Sequence, residues 1–194
     1  MTLELPPMSQ RFFRLADDVY VPRRWHLGTP TDSQGRKVHD WDFTRGAPVH
    51  VEGRLKIPIK TAGRPLDFSE AGLGVPVVHV KAASMLAERA PGDVQIIPAD
   101  IQDQLDQYLV VVATRLIRCI DEKASKVQFW TAEDGVPDKV GKYWAVDDMR
   151  IDKRKVGSAK VFRPEGWSTT LLISGELKDA LERMGATGTR FEEV

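Results

Sequence analysis

The pattern of apolar and polar positions predicts two helices, one in the middle of the chain and one near its end. In residues 80–90 and 175–184, apolar side chains recur at the spacing that places them on one face of an α-helix. A proline and a glycine follow the first helix, and Gly185 ends the second. We expect Ser174 to cap the second helix with its side chain. The apolar stripe of that helix contains Leu177, Ala180, Leu181 and Met184.

Short strands account for most of the remaining apolar positions. Residues 108–112 are apolar throughout, which is typical of a central strand covered on both faces. Residues 55–59 alternate like an edge strand, because Pro58 cannot donate a hydrogen bond to a neighbouring strand. Further short strands are predicted at residues 12–15, 94–98, 116–120, 127–130, 143–149 and 160–162. Because strands and helices do not alternate, the pattern indicates an α+β fold with a mainly antiparallel sheet.

Proline and glycine are dense in the first 76 residues and sparser afterwards. This distribution predicts an irregular N-terminal lobe on a more regular body. A chain of 194 residues is long enough to bury a full core as one domain. We therefore expect a single α+β domain over residues 1–194, with two tightly joined lobes, about 1–92 and 93–194, as the alternative.

Composition indicates a globular protein of a reducing compartment. The single cysteine, Cys119, excludes a disulfide framework, and the carboxylates that follow it favour a buried thiol with a raised pKa. Residues 1–7 lack the basic and apolar regions of a signal peptide, and no apolar stretch is long enough to cross a bilayer. The formal net charge is zero, whereas nucleic-acid-binding domains are usually strongly basic. We expect a cytoplasmic protein with no membrane or nucleic-acid partner.

No pattern in the sequence indicates a catalytic or metal centre. None of the histidines has a second ligand at the spacing that metal sites use. The glycine-rich residues 71–74 indicate a turn and not a phosphate loop, because no strand leads into them and Pro76 follows. The sequence predicts no metal, no cofactor and no catalytic residue. The alternative is a small enzyme whose site assembles only in three dimensions, from nearby carboxylates and His26, His50 or His79.

The tryptophans are the best candidates for contact with a partner. Trp130 and Trp144 lie in predicted strands, where packing in the core is the simplest interpretation. Two others lie in irregular segments beside arginine and proline, a combination typical of interface hot spots. The alternative is a loop tryptophan that fills the core, with an arginine stacked on its ring. The predicted partner-binding residues are Arg23, Arg24, Trp25, His26 and Trp167.

Six motifs, in order over nearly the whole chain, carry a family resemblance. They are DDVYVPRRWHLG at 17–28, RPLDFS at 64–69, GVPVV at 74–78, RCID at 118–121, FRPEGW at 162–167 and LKDAL at 177–181. In these motifs the chain resembles a family of predicted immunity proteins of bacterial polymorphic toxin systems, number eleven in that nomenclature and common in myxobacteria. None of the motifs is a catalytic signature, and the family brings no agreed list of functional residues.

The resemblance implies an α+β protein that is encoded beside a toxin gene, binds the cognate toxin and protects the producing cell. A protein that acts by stoichiometric occlusion needs an interface of roughly 1,600 Å² with a buried aromatic or arginine anchor. We expect the irregular N-terminal segment to supply this contact. An adaptor of a secretion system, with several weak partners, is a further alternative.

Overall fold

The computed structural model describes residues 10–194, so residues 1–7, on which the expectation about a signal peptide rests, lie outside the described part. The described residues form strands β1 (Phe12–Asp17), β2 (His26–Leu27), β3 (Leu55–Ile57), β4 (Ile59–Thr61), β5 (Phe68–Ala71), β6 (Val75–His79), β7 (Val94–Ile101), β8 (Tyr108–Ala113), β9 (Leu116–Ile117), β10 (Lys126–Phe129), β11 (Tyr143–Asp147), β12 (Val161–Pro164), β13 (Leu171–Ser174) and β14 (Thr189–Glu193). The α-helices are α1 (Asp40–Thr44), α2 (Val80–Arg89) and α3 (Gly175–Arg183).

A seven-stranded sheet in the order β3-β7-β8-β6-β5-β2-β4 nearly closes on itself. Its two end strands, β3 and β4, are separated in sequence only by Pro58, which has no N–H to donate. The chain that follows β2 pairs back onto this corner. Gly28 N–H donates to the Pro58 carbonyl at 2.8 Å, and Thr31 and Lys56 exchange two backbone hydrogen bonds of 2.8 Å. These bonds join the two ends of the sheet into a barrel-like layer.

A five-stranded sheet in the order β14-β1-β13-β12-β9 forms the second layer. Its strands are antiparallel except for β12 and β9, which run parallel. Strands β10 and β11 form a separate two-stranded hairpin. Antiparallel pairings prevail in all three sheets, so the predicted α+β class with a mainly antiparallel sheet is confirmed.

Three groups of buried apolar side chains hold these layers together. One fills the inside of the seven-stranded sheet and includes Trp25, Phe43 and Tyr108. The second lies between that sheet, helices α2 and α3, and the inner face of the five-stranded sheet. The third lies on the other face of the five-stranded sheet and includes Cys119 and Phe162. Alternate residues of β8 contribute to the first and second groups, as expected for a strand that is covered on both faces.

The two long helices follow their predicted apolar faces, with one exception in α3. In α3, Leu177, Ala180 and Leu181 are buried as predicted. Met184 is exposed, because α3 ends at Arg183 and Met184 is already the C-cap residue. Ser174 occupies the N-cap position, but its hydroxyl makes no capping hydrogen bond and is buried without a partner. The predicted side-chain cap is therefore wrong.

The irregular part of the N-terminal region is shorter than predicted. Residues 18–54 contain only β2 and the five-residue helix α1. From residue 55 onward the chain is regular, because β3 to β6 all join the seven-stranded sheet. The glycine-rich residues 71–74 form the predicted turn, between β5 and β6, and the left-handed φ of Gly72 (54°) and Gly74 (78°) suits glycine. The expectation that no strand leads into this turn is wrong, because β5 ends at Ala71.

Candidate functional site

A polar groove runs along the open face of β1 and β14. It consists of two adjoining depressions, with volumes of about 290 Å³ and 200 Å³, which share Arg14 and Glu192. Arg14 lies on the face of β1 opposite the buried Phe13 and Leu15. The groove is also lined by Ala16, Asp17, Val19, Glu70 and Arg190 in one depression, and by Val146, Asp147, Asp148, Met149, Trp167, Thr170 and Val194 in the other.

Charged side chains form a partly buried cluster at the end of the groove that Asp17 and Glu70 line. The guanidinium of Arg24 forms an ion pair with Asp17, and both side chains are almost completely buried. Burial raises the pKa of Glu70, and the negative charge of Asp17 raises it further. Arg163, Arg14 and Arg24 act in the opposite direction on Glu70. The predicted contact residue Arg24 therefore holds the wall of the groove in place from within.

Trp25 is a core residue and not the surface anchor that the sequence suggested. It is 1% exposed, its ring lies 5.3 Å from that of Tyr108, and its Nε1–H donates to Ser69 Oγ at 2.8 Å. Its backbone N–H donates to the Arg64 carbonyl at 3.1 Å, which draws this segment against the seven-stranded sheet. The alternative interpretation of a loop tryptophan that fills the core is the correct one, and the prediction that the Trp25 ring contacts a partner is corrected.

The other predicted contact residues lie in different places. Arg23 and His26 are exposed, and Arg23 has a left-handed backbone with φ of 54°. Trp167 is half-buried and lines the depression of the groove that borders residues 146–149. The segment that begins at Asp17 lines the other end. Two residues at the start of the 17–28 motif, Asp17 and Val19, thus lie at one end of the groove and Trp167 at the other. None of the predicted residues Arg23, Arg24, Trp25 and His26 lines the groove.

The hairpin of residues 126–147, here called the arm, carries four aromatic side chains that pair across its strands. Phe129 stacks on Tyr143 at 5.2 Å, and Trp130 meets Trp144 edge to face at 6.4 Å. Trp144 is 52% exposed and Phe129 40%. The prediction that both tryptophans are core residues is wrong, because the arm is a sheet of only two strands and its side chains stay largely accessible.

The arm is fixed to the body through Tyr143, which pairs with Phe129 at the end of the β10–β11 ladder remote from Lys126 and Asp147. Its hydroxyl donates to Glu122 Oε1 at 2.7 Å, and partial burial with this hydrogen bond raises its pKa to about 12. The ring lies against Gly166, where an added Cβ would be 2.8 Å from Tyr143 Cε2. Residues 146 and 147 of the arm line the groove together with Trp167. The arm and the groove therefore form one continuous surface.

Of the three histidines in the alternative small-enzyme site, His79 lies beside a carboxylate. Its Nδ1 lies 4.0 Å from Asp67 Oδ1, and its ring packs against that of Tyr108. Within residues 10–194, no three metal-ligating side chains come together, and no helix is long and apolar enough to span a bilayer. Cys119 is fully buried, and burial raises its pKa to about 11, as expected for an inert thiol.

A third cavity, of about 420 Å³, lies where β3 pairs with β7. Ile57 and Ile101 contribute apolar lining, and Asp100 at its rim is held by Arg54 in an ion pair of 2.7 Å. None of the predicted contact residues lines this cavity. The groove contains the predicted contact residue Trp167, whereas the arm is an exposed surface that the sequence did not predict.

Comparison with protein families decides where the chain belongs. Residues 48–194 match the model of the Immunity protein family (Imm11). The chain is a member of the Imm11 family. The match contains five of the six resembling motifs, the whole arm, Glu70, Trp167 and β14, whereas the motif at 17–28 precedes it. A search of curated proteins found no match.

Proposed function

We propose that this Imm11 protein binds a cognate toxin and neutralises it by stoichiometric protein–protein occlusion. Membership of an immunity protein family carries the proposal. The surface supports it, because exposed aromatic side chains beside a groove with both signs of charge are typical of protein interfaces. The partner in this proposal is a toxin encoded by an adjacent gene, and the protein acts in the cytoplasm of the producing cell.

Occlusion requires a rigid complementary surface and no catalytic step, so the proposal assigns the chain no reaction and no cofactor. Protection also requires slow release of the toxin. A subnanomolar dissociation constant corresponds to about −12 kcal/mol or better, which interfaces of roughly 1,600 Å² reach when they contain a well-packed anchor. The irregular segment that precedes β2 and the turn that carries Trp167 lie at the two ends of the groove and could both belong to such an interface.

Within this proposal, Arg23, His26 and Trp167 remain candidate contact residues because their side chains are at least partly accessible. The largely buried side chains of Arg24 and Trp25 lie next to Arg23 and His26 in the chain. Arg24 forms an ion pair with Asp17, and Trp25 donates a hydrogen bond to Ser69. Replacement of Arg23 or His26 should therefore change toxin binding with little effect on folding. Replacement of Arg24 or Trp25 should change folding first.

The decisive experiment is co-expression of this protein with the product of the adjacent gene, with growth of the bacterial host as the readout. We expect the neighbouring product to arrest growth alone and the wild-type chain to restore it. A distant Imm11 protein, expressed at the same level, is the control for specificity. If the neighbouring product is harmless, or kills in the presence of this chain, the proposed function is wrong.

A further inference from the structure

The arm exposes several large apolar side chains. Two-stranded hairpins are marginally stable in water, and this one contacts the body through Tyr143. Besides Phe129 and Trp144, it exposes Val140, which is 47% accessible. Exposed apolar patches on a folded protein commonly mark interaction sites. The arm is therefore the strongest candidate in this molecule for a docking element.

Neighbouring aromatic residues of the arm differ in exposure. Tyr143 is half-buried where its ring meets Gly166, whereas Trp144 is 52% exposed. Trp130 pairs with Trp144, and Lys139 Nζ lies 4.7 Å from the centre of the Trp130 ring. Trp144 is thus accessible to a partner, and the pair of tryptophans is held in place before any partner arrives. Such preorganisation lowers the entropy lost on binding.

Acidic residues outnumber basic ones in the arm taken together with the residue that follows it. Residues 126–148 contain five acidic and three basic residues. Among the described ion pairs, only that of Lys126 with Asp148 involves the arm. Asp134 accepts hydrogen bonds from the backbone N–H and hydroxyl of Thr131, which hold its pKa below the ordinary range and keep it charged. The acidic residues without an ion-pair partner in the described chain are Glu133, Asp134, Asp138 and Asp147.

We propose that the arm docks onto the cognate toxin, with Trp130 and Trp144 in an apolar depression whose rim is basic. This inference rests on the proposed function and specifies the surface that performs it. The aromatic pair supplies the buried anchor, and the excess of negative charge selects a partner surface of opposite sign. The neighbouring groove extends the contact along β1 and β14.

The test measures binding of the full-length chain to the toxin, which is released from the co-purified wild-type complex by denaturant and refolded on a sensor surface. Trp144→Ala should raise the dissociation constant at least 100-fold, mainly through faster dissociation, and should abolish protection in the growth assay. Trp41→Ala is the matched control, because Trp41 is 70% exposed on α1, outside the arm. This control variant should bind and protect like the wild type.

The charge of the rim is tested separately. The variant with Glu133→Lys and Asp138→Lys should associate at least tenfold more slowly, and the wild-type association rate should fall as salt rises. If Trp144→Ala disturbs the circular-dichroism spectrum, Val140→Asp tests the exposed tip of the arm without removing the tryptophan pair. If the association rate does not depend on salt and is the same for the charge-reversed variant, the proposal that the partner's rim is basic is wrong.

The possible outcomes separate this inference from the proposed function. Wild-type chain that neither co-purifies with the toxin nor protects overturns both. If the wild type and the Trp144→Ala and Val140→Asp variants all bind and protect equally, the arm is not the docking element. The proposed function would stand in that case. A third outcome is that Trp144→Ala abolishes self-association of this chain but not toxin binding. That outcome would assign the arm to a contact between two copies and would also overturn the inference.

Discussion

Arg163 illustrates how one side chain joins the layers of this protein. It lies in β12, its side chain is 0% exposed, and its guanidinium donates to the carbonyls of Ser168 at 3.2 Å and Thr169 at 2.9 Å. A longer bond of 3.5 Å reaches the carbonyl of Gly74, in the turn between β5 and β6 of the seven-stranded sheet. Burial lowers the pKa of Arg163 to about 10, and nearby Glu70 favours its charged form. The guanidinium therefore stays charged at neutral pH.

At the same scale, Trp25 is expected to contribute mainly to stability. Trp25→Ala should lower the free energy of unfolding by roughly 3–5 kcal/mol, because it leaves a large cavity and an unpaired Ser69 hydroxyl. Urea denaturation followed by circular dichroism measures the change. Trp41→Ala, at an exposed position, should stay within about 0.5 kcal/mol of the wild type. Equal stability of the Trp25 and Trp41 variants would contradict the burial of Trp25.

Two buried groups predict that the protein loses stability at high pH. The pKa of Cys119 is raised from 9.0 to about 11 and that of Tyr108 from 10.0 to about 12, in both cases chiefly by burial. As pH rises, each group ionises first in the unfolded chain, so the unfolded state is favoured from pH 9 upward. A shift of two units corresponds to roughly 2–3 kcal/mol for each group.

Urea midpoints at pH 7, 9 and 11 test this prediction. The urea concentration at the midpoint should stay constant for the wild type up to about pH 9 and fall progressively above that value. Cys119→Ala should show a shallower loss between pH 9 and 11, whatever its stability at pH 7. A wild-type midpoint that is constant up to pH 11 would contradict the buried state of both groups.

At the scale of elements, Gly166 controls the position of the arm. It has φ of 84°, and a Cβ there would lie 2.8 Å from the Tyr143 ring. Gly166→Ala should therefore displace β11 in addition to the cost of about 1–2 kcal/mol for a left-handed alanine. Gly157→Ala is the control, because Gly157 also has positive φ (64°) but nothing lies within 4 Å of its added Cβ.

Hydrogen exchange distinguishes the two glycine variants. Amides of β10 and β11 should exchange faster in Gly166→Ala than in the wild type, whereas Gly157→Ala should leave them unchanged. Equal protection of the arm in both variants would show that Tyr143 and Gly166 do not fix the arm to the body. A direct consequence of the loosened contact would be weaker toxin binding by Gly166→Ala alone.

Elements with a strong local pattern could be predicted from sequence, and those defined by distant partners could not. The apolar run of β8 and the stripe of α3 depend on neighbours in sequence, and both were found where expected. Strand β14 was not predicted, because its sequence TRFEE contains only one apolar residue and it forms by pairing with β1 across the chain. Strand β2 contains only two residues and likewise depends on distant pairing.

The candidate site was predictable only in part, for the same reason. Two of its segments, at Asp17 and Trp167, were recognised from their composition. The groove between them also needs Arg14 and Glu192, which are ordinary charged residues in the sequence. Burial of individual tryptophans failed as a prediction because it depends on whether another layer covers the strand or loop. Local sequence carries no information about that layer.

At the scale of the whole molecule, strand pairing crosses the middle of the chain repeatedly. In the seven-stranded sheet, β7 and β8 lie between β3 and β6, so strands from both sides of residue 92 alternate. In the five-stranded sheet, β1 pairs with both β13 and β14. A division at residue 92 would cut both sheets. We therefore propose that residues 10–194 fold as a single domain, in preference to the two-lobe alternative.

A single domain predicts that Cys119 becomes accessible only when the whole protein unfolds. The thiol is fully buried in the apolar group on the outer face of the five-stranded sheet, whereas Tyr108 and Trp25 report on the inside of the other sheet. In a cooperative unit, the free energy of opening measured by thiol labelling in urea should equal the free energy of unfolding measured by circular dichroism. Tryptophan fluorescence should give the same midpoint. Labelling of Cys119 well below the circular-dichroism transition would show that the outer layer opens by itself, and the chain would then consist of two units that unfold separately.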